Sequence, residues 1–104
     1  MPQNETEESP VYSVSVSGIV RTGTAREVLR AIQANARDES SVRKMSLRQY
    51  AEVLVSDAPY FLTKEELKFL ENESYPSEFD RALRYLATMQ SSGVRILAKS
   101  EEVA

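Results

Sequence analysis

The sequence predicts an α+β fold in which four short helices pack on a small two-stranded sheet. Near the start of the chain Tyr12, Val14 and Val16 alternate with serines, a pattern typical of a half-buried β-strand. Four hydroxyl residues then stand at the starts of helical patterns. A second apolar run follows Gly93, which suits a left-handed helix cap. The order strand, four helices, strand is that of an α+β domain.

The length of the chain restricts it to one domain. With 104 residues it can bury a core of its own, but it has no room for two folded units. Residues 1–10 contain Glu5, Glu7 and Glu8 and almost no apolar side chain, so we predict a disordered acidic tail there. The predicted domain spans residues 11–100, and residues 101–104 are predicted to form a flexible C-terminal tail.

Each predicted helix begins at a hydroxyl residue that is followed three positions later by an acid or an amide. This spacing lets the hydroxyl accept a backbone hydrogen bond while the later side chain reaches back. The four pairs are Thr24 with Glu27, Ser46 with Gln49, Thr63 with Glu66, and Ser77 with Asp80. Apolar periodicity then predicts helices over residues 25–36, 47–55, 64–72 and 78–90. The last of these has the most regular apolar stripe and is expected to be the central core helix.

The two predicted strands differ in length. The first covers residues 11–20, with Val11 at its start and Val20 at its end, whereas the second covers only residues 94–98. Part of the longer strand therefore lacks a partner, and an unpaired apolar strand invites pairing with another chain. We predict a homodimer that pairs or stacks through residues 11–20. The alternative is a bent strand that pairs with residues 40–45.

Cysteine and histidine are both absent from the sequence. Without cysteine there are no disulfides, thiolate metal sites or cysteine nucleophiles. Without histidine the chain lacks the one side chain whose ordinary pKa lies near neutrality. We therefore predict a protein that is not an enzyme and that has neither a cofactor nor a metal site.

Hydropathy gives no sign of a membrane segment. No apolar run approaches the roughly 20 residues that cross a bilayer, and residues 1–15 lack the basic start and apolar stretch of a signal peptide. An apolar fraction of 41% with a net charge of −3 is typical of a soluble globular protein. We predict a cytoplasmic protein that does not interact with membranes.

Charge is distributed unevenly along the chain. Residues 21–48 contain seven basic and three acidic side chains, and residues 49–80 contain two basic and eight acidic ones. On the first predicted helix Arg26, Arg30 and Arg37 share the side opposite the apolar stripe, at about 100° per residue. Two interpretations stay open. One is a solvated face, and the other is a docking surface whose guanidinium groups bind carboxylates or phosphates of a partner, which we expect to be a protein.

Two tyrosines lie in predicted loops. Tyr60 follows Pro59, and Tyr75 precedes Pro76. Exposed tyrosines are enriched at protein interfaces, so we include both among the candidate partner-binding residues.

The second half of the chain supports a different interpretation. A short helix, a turn, a longer helix and the run Gly93-Val-Arg-Ile-Leu follow one another. This order resembles the positioning helix, recognition helix and wing strand of a winged-helix protein. The resemblance implies DNA binding, with Arg81 and Arg84 on the recognition helix and Arg95 and Lys99 on the wing.

The function that we predict is that of a small, non-enzymatic interaction or regulatory protein, which binds a macromolecular partner through charged helix faces. The alternative is a winged-helix-like DNA-binding transcriptional regulator. The two differ in an observable way, because phosphate contacts make DNA binding steeply dependent on salt.

Overall fold

A computed structural model describes residues 10–36 and 40–100, and within them three antiparallel strands and five helices form an α+β architecture. The strands are β1 (Val11–Val16), β2 (Ile19–Thr24) and β3 (Val94–Ser100), in the order β2-β1-β3. The helices are α1 (Ala25–Ala34), α2 (Ser40–Lys44), α3 (Leu47–Asp57), α4 (Lys64–Glu71) and α5 (Glu78–Thr88). The predicted α+β class is confirmed, whereas the predicted number of two strands and four helices is wrong.

The segment predicted as one long strand is a β-hairpin. Ser17 and Gly18 both have positive φ, 51° and 89°, as in the two-residue turns that suit the twist of a hairpin. β2 then returns antiparallel to β1. The part of residues 11–20 that was expected to lack a partner, and that led us to predict a homodimer, therefore pairs within the chain. The alternative pairing with residues 40–45 is also wrong, because Ser40–Lys44 is helical.

The order of the strands limits the strands with which a second copy of the chain could pair. β1 is the central strand and pairs with both β2 and β3, so the open edges of the described sheet belong to β2 and β3. On β2, Ile19 and Val20 are each 60% exposed. Homodimerisation through residues 11–20 stays a prediction, and any strand pairing would use the β2 part of that segment.

One face of the sheet packs against the helices. Tyr12 and Val14 of β1 and Val94 of β3 are buried on this face, whereas Ser13 and Ser15 point away from it, because side chains alternate along a strand. Helix α5 contacts α1, α3 and β3. The prediction that this helix is central to the core is therefore confirmed.

All four predicted helix starts are confirmed. Thr24, Ser46, Thr63 and Ser77 each accept a backbone hydrogen bond from the first turn of the helix that follows. At the first three, the side chain three positions later bonds back to the cap and completes a capping box. At Ser77 the later side chain, Asp80, has another role, described below. These helices end within two residues of the predicted positions.

The chain enters β3 through a left-handed residue. Gly93 has φ 76° and follows a single 3-10 turn, Gln90–Ser92. Its carbonyl accepts a hydrogen bond of 2.8 Å from the backbone N–H of Ser17, which joins this corner to the turn of the hairpin. β3 runs two residues beyond its predicted end, because β1 pairs with it as far as Ser100.

In the part of the chain that the structure describes, no helix combines the length and the apolar character needed to cross a membrane.

Candidate docking groove

An open groove of about 440 Å³ lies where α1, α2 and α3 meet the start of α5. Four of the described arginines line it: Arg26 and Arg30 from α1, Arg43 from α2 and Arg48 from α3. We call this surface the arginine groove. Its other lining residues are Gln33, Met45, Ser46, Leu47 and Phe79.

Helix α1 presents two of these arginines because its other side is buried in the core. Val28 and Leu29 pack inward and are almost fully buried. Arg26 and Arg30 stand four residues apart, so they lie one turn from each other on the same side of the helix. The sequence analysis therefore placed both residues on the correct face.

A buried glutamine fixes the base of the groove. The side-chain amide of Gln33 donates hydrogen bonds to the backbone carbonyls of Val42, at 2.8 Å, and Met45, at 2.9 Å. Gln33 is buried, with only 7% of its surface exposed. These two bonds hold α2 and the entry to α3 against α1. The sequence carried a signal that we missed, because Gln33 lies four positions after Leu29 and so continues the apolar stripe.

Replacing Gln33 with leucine is expected to lower the free energy of unfolding by about 1–3 kcal/mol, because two poorly hydrated carbonyls lose their donor. Urea denaturation measures this change. Gln90→Leu is the matched control, since Gln90 is exposed, and it should change stability by less than about 0.5 kcal/mol. Equal losses in the two variants would contradict the role of Gln33.

Two of the groove arginines lack an acidic neighbour. Among residues 10–36 and 40–100, no carboxylate lies within 4.0 Å of the guanidinium nitrogens of Arg26 or Arg30. The Arg26 guanidinium lies over the ring of Phe79, 5.7 Å from its centroid, which is within the range of a cation–π contact. Both guanidinium groups thus keep their hydrogen-bond donors available for an anion.

The other two arginines form contacts within the protein. Nε of Arg48 lies 3.0 Å from a carboxylate oxygen of Glu78, and both side chains are well exposed. Arg43 donates a hydrogen bond to the carbonyl of Ala36. An exposed ion pair of this kind contributes little to stability, so Arg48 can exchange Glu78 for another carboxylate at small cost.

The remaining predicted partner-binding residues lie elsewhere. Arg37 falls outside the described residues. Tyr60 is 83% exposed, in the turn after α3, and does not line the arginine groove. Tyr75 is half-buried and belongs to a second cleft.

This second cleft, of about 210 Å³, lies between the loop after α4, the start of α5 and the sheet. It brings together three residues that the sequence analysis had assigned to different roles, namely Tyr75, Arg84 and Lys99. At its base the buried carboxylate of Asp80 accepts hydrogen bonds from the hydroxyls of Tyr12 and Ser77. Asp80 therefore ties β1 to the start of α5, 68 residues further along the chain.

The hydroxyl of Tyr75 is a hydrogen-bond donor in this cleft. It donates to the backbone carbonyl of Leu70 at 2.8 Å. Burial and, to a smaller extent, the Glu73 carboxylate and Tyr85 raise the pKa of the Tyr75 hydroxyl above its ordinary value, while Arg84 opposes the shift. The hydroxyl consequently stays protonated at neutral pH, where it fixes the loop and cannot act as a base.

The four residues proposed to contact DNA do not share one surface, although Arg84 and Lys99 line the same cleft. Arg81 lies over the Tyr85 ring of its own helix, at 5.4 Å, and Arg84 lies 4.0 Å from a carboxylate oxygen of Glu73. Arg95 pairs with Ser15, which faces away from the helices, whereas Lys99 pairs with Tyr12 on the covered face.

The strand proposed as a wing also has a different partner. β3 pairs with β1, from the start of the chain, whereas a wing forms a hairpin with a strand that follows it. In the part of the chain that is described, no further strand comes after β3.

The described residues contain no group of three or more acidic side chains placed to hold a metal ion. No protein-family model, no curated protein and no solved structure matches the chain.

Arg43 and Arg48 are the charged groove residues, among those described, that the sequence did not lead us to predict. Both arginines belong to the basic stretch of residues 21–48, which was the available signal. Their convergence depends on α2, a helix of five residues, and so short a helix has no periodic pattern to recognise.

Proposed function

We propose that the protein is a non-enzymatic binding protein and that its arginine groove docks an acidic segment of a partner protein. The observation that carries this proposal is the convergence of arginines from three helices on one groove. Two of them, Arg26 and Arg30, have no carboxylate within ion-pair distance among the described residues.

Arginine suits this role better than lysine. Its planar guanidinium remains charged at any physiological pH and binds a carboxylate through two parallel hydrogen bonds. Arginines that share a groove repel one another until an anion lies between them, which favours an acidic ligand. Four such groups on one concave surface therefore support binding of several carboxylates in a fixed arrangement.

The chemistry of the groove favours a protein ligand over a nucleic acid. Met45 and Phe79, both partly exposed, add apolar surface to the lining of the groove, which suits a segment that carries apolar side chains beside its carboxylates. A phosphate backbone has no such side chains. A duplex also extends well beyond one groove, and the net charge of the whole chain is −3, so its flanks would be repelled.

The side chains that line the groove also support a binding role. Arginine does not exchange protons near neutral pH, and the hydroxyl of Ser46 is engaged as the cap of α3. Among the described residues that line the groove there is no nucleophile with an adjacent base.

The double variant Arg26→Glu/Arg30→Glu is expected to weaken binding of an acidic peptide at least tenfold, because two attractive contacts become repulsive. The probe is a short fluorescent peptide in which leucines separate pairs of glutamates, and its affinity is measured by fluorescence anisotropy at low salt. Circular dichroism checks that the variant is folded.

The matched control is Lys64→Glu/Lys68→Glu, which makes the same charge change at two exposed positions one turn apart on α4. This control should retain the affinity of the unmodified protein within about twofold. Equal losses of affinity in both variants would show that binding depends on the overall charge of the protein and not on the arginine groove. Tighter binding of a random DNA duplex than of the peptide, with a steep salt dependence, would overturn the proposal in favour of nucleic-acid binding.

A further inference from the structure

The N-terminal segment of the chain is charge-complementary to the arginine groove. Residues 1–9 lie outside the described part of the chain and contain Glu5, Glu7 and Glu8 but no basic side chain. We propose that this segment docks on the arginine groove and competes there with other acidic ligands. The docking itself does not require that an external partner exists.

The point where this segment joins the fold is close to the groove. Val11, at the start of β1, is paired with Thr24, which caps α1. Arg26 follows Thr24 by two residues. A second tie holds the same end of β1 to the start of α5, because the Tyr12 hydroxyl donates to Asp80 at 2.8 Å, one residue after the groove residue Phe79. The segment therefore joins the fold beside the start of α1, the helix that supplies Arg26 and Arg30 to the groove.

The reach of the segment matches the positions of the arginines. Nine extended residues span about 30 Å at about 3.3 Å each. By the same measure Glu8 lies within about 7 Å of Pro10, and Glu5 within about 17 Å. Arg30 is only about 6 Å beyond Arg26 along α1. The segment is consequently long enough to bring its glutamates to the end of α1 that carries Arg26 and Arg30.

A weak attraction is enough to keep a tethered segment in place. A short tether gives its ligand an effective concentration in the millimolar range, so carboxylates that bind only at millimolar concentration as a free peptide would occupy the groove for much of the time. Arg26 and Arg30 supply the uncompensated positive charge. The docked segment is expected to detach as salt screens these contacts.

Paramagnetic relaxation enhancement in NMR tests the docking directly. The chain has no cysteine, so Thr6→Cys creates a single site for a nitroxide label in the full chain. At low salt the label should broaden the backbone amide signals of Arg26, Arg30 and Arg48 selectively, and should leave those of Tyr60 and Phe61 sharp. The selective broadening should disappear at high salt.

The matched control carries the same label together with Glu5→Gln, Glu7→Gln and Glu8→Gln, which keeps the length of the segment and removes its charge. Docking by charge predicts that the groove signals sharpen in this variant. Equal broadening with and without the glutamates would overturn the proposal, as would groove signals no broader than those of Tyr60. Groove broadening from a label at Val103→Cys but not at Thr6→Cys would also overturn it, by assigning the groove to the other end of the chain.

A binding measurement separates this proposal from the proposed function. If both hold, the three Glu→Gln changes should raise the affinity for the acidic peptide about two- to tenfold, because the competing segment is lost. Selective broadening without any peptide binding would support the docked segment and contradict the proposed function. Peptide binding without selective broadening would support the proposed function and contradict the docking of the N-terminal segment.

Discussion

Leu83→Ala is expected to lower the free energy of unfolding by about 2–5 kcal/mol, the largest stability effect that we predict. Leu83 has no exposed surface and lies on α5, the helix that contacts α1, α3 and β3. Its removal takes apolar contacts away from several elements at once and leaves a cavity that a helix held on several sides cannot collapse to fill. Urea denaturation with a two-state fit measures the change.

Leu97→Ala is the matched control, because it makes the same chemical change at a leucine that is 52% exposed on β3. We expect a loss of less than about 1 kcal/mol there. Similar losses in the two variants would mean that α5 does not occupy the centre of the core.

Asp80→Ala is expected to cost about 2–4 kcal/mol of stability. The change removes hydrogen bonds from the hydroxyls of Tyr12 and Ser77 to a buried carboxylate. Each such bond to a charged group is worth about 1.5–3 kcal/mol, but the change also removes the cost of burying the carboxylate, which offsets part of the loss. It also removes a negative charge from the first turn of α5, where the helix dipole favours one by about 0.3–1 kcal/mol. Glu78→Ala, in the same turn but exposed and paired with the exposed Arg48, should cost less than about 1 kcal/mol.

A double-mutant cycle isolates the bond between β1 and α5. Tyr12→Phe alone should cost about 1–2 kcal/mol, and the loss in the double variant Tyr12→Phe/Asp80→Ala should fall short of the sum of the single losses by about 1 kcal/mol. Strictly additive losses of stability would show that Tyr12 and Asp80 do not stabilise each other between β1 and α5.

Local signals in the sequence predicted the helices well. The four hydroxyl caps satisfy backbone donors within three residues of themselves, so their geometry depends on little else. Thr24, Ser46 and Thr63 therefore both start their helices and complete capping boxes, as predicted. Ser77 also starts its helix, but the Asp80 carboxylate accepts from the hydroxyls of Ser77 and Tyr12 and does not complete a capping box with the backbone of Ser77. The bond to Tyr12 depends on a residue far away in the sequence.

The hairpin was missed because its turn lies within an apolar pattern. Ile19 and Val20 continue the apolar character of β1 after Gly18, and a strand that continues has nearly the same composition as a strand that turns back. The dipeptide Ser17-Gly18 is itself a turn signal. Because this turn was not predicted, the predicted sheet had two strands and not three. The first strand was then expected to need a partner from a second copy, whereas β2 of the same chain pairs with β1.

The arginine groove could be predicted only in part. Arg26 and Arg30 share a helix face, and helical periodicity is enough to place them together. Arg43 and Arg48 join them through α2 and through the two bonds of Gln33, and those tertiary contacts leave no pattern in the sequence. The same reason explains why Tyr75, Arg84 and Lys99 meet in one cleft although nothing in the sequence links them.

The central position of β1 has a consequence for how the protein acquires its structure during translation. β1 can pair with β2 as soon as both strands have been synthesised, but a two-stranded hairpin is only marginally stable in water. Its other partner is β3, and Val16 pairs with Val94, so most of the chain must be synthesised before the sheet is complete. The growing chain therefore exposes one side of β1 until β3 has been synthesised, and the sheet is expected to be complete only after that point.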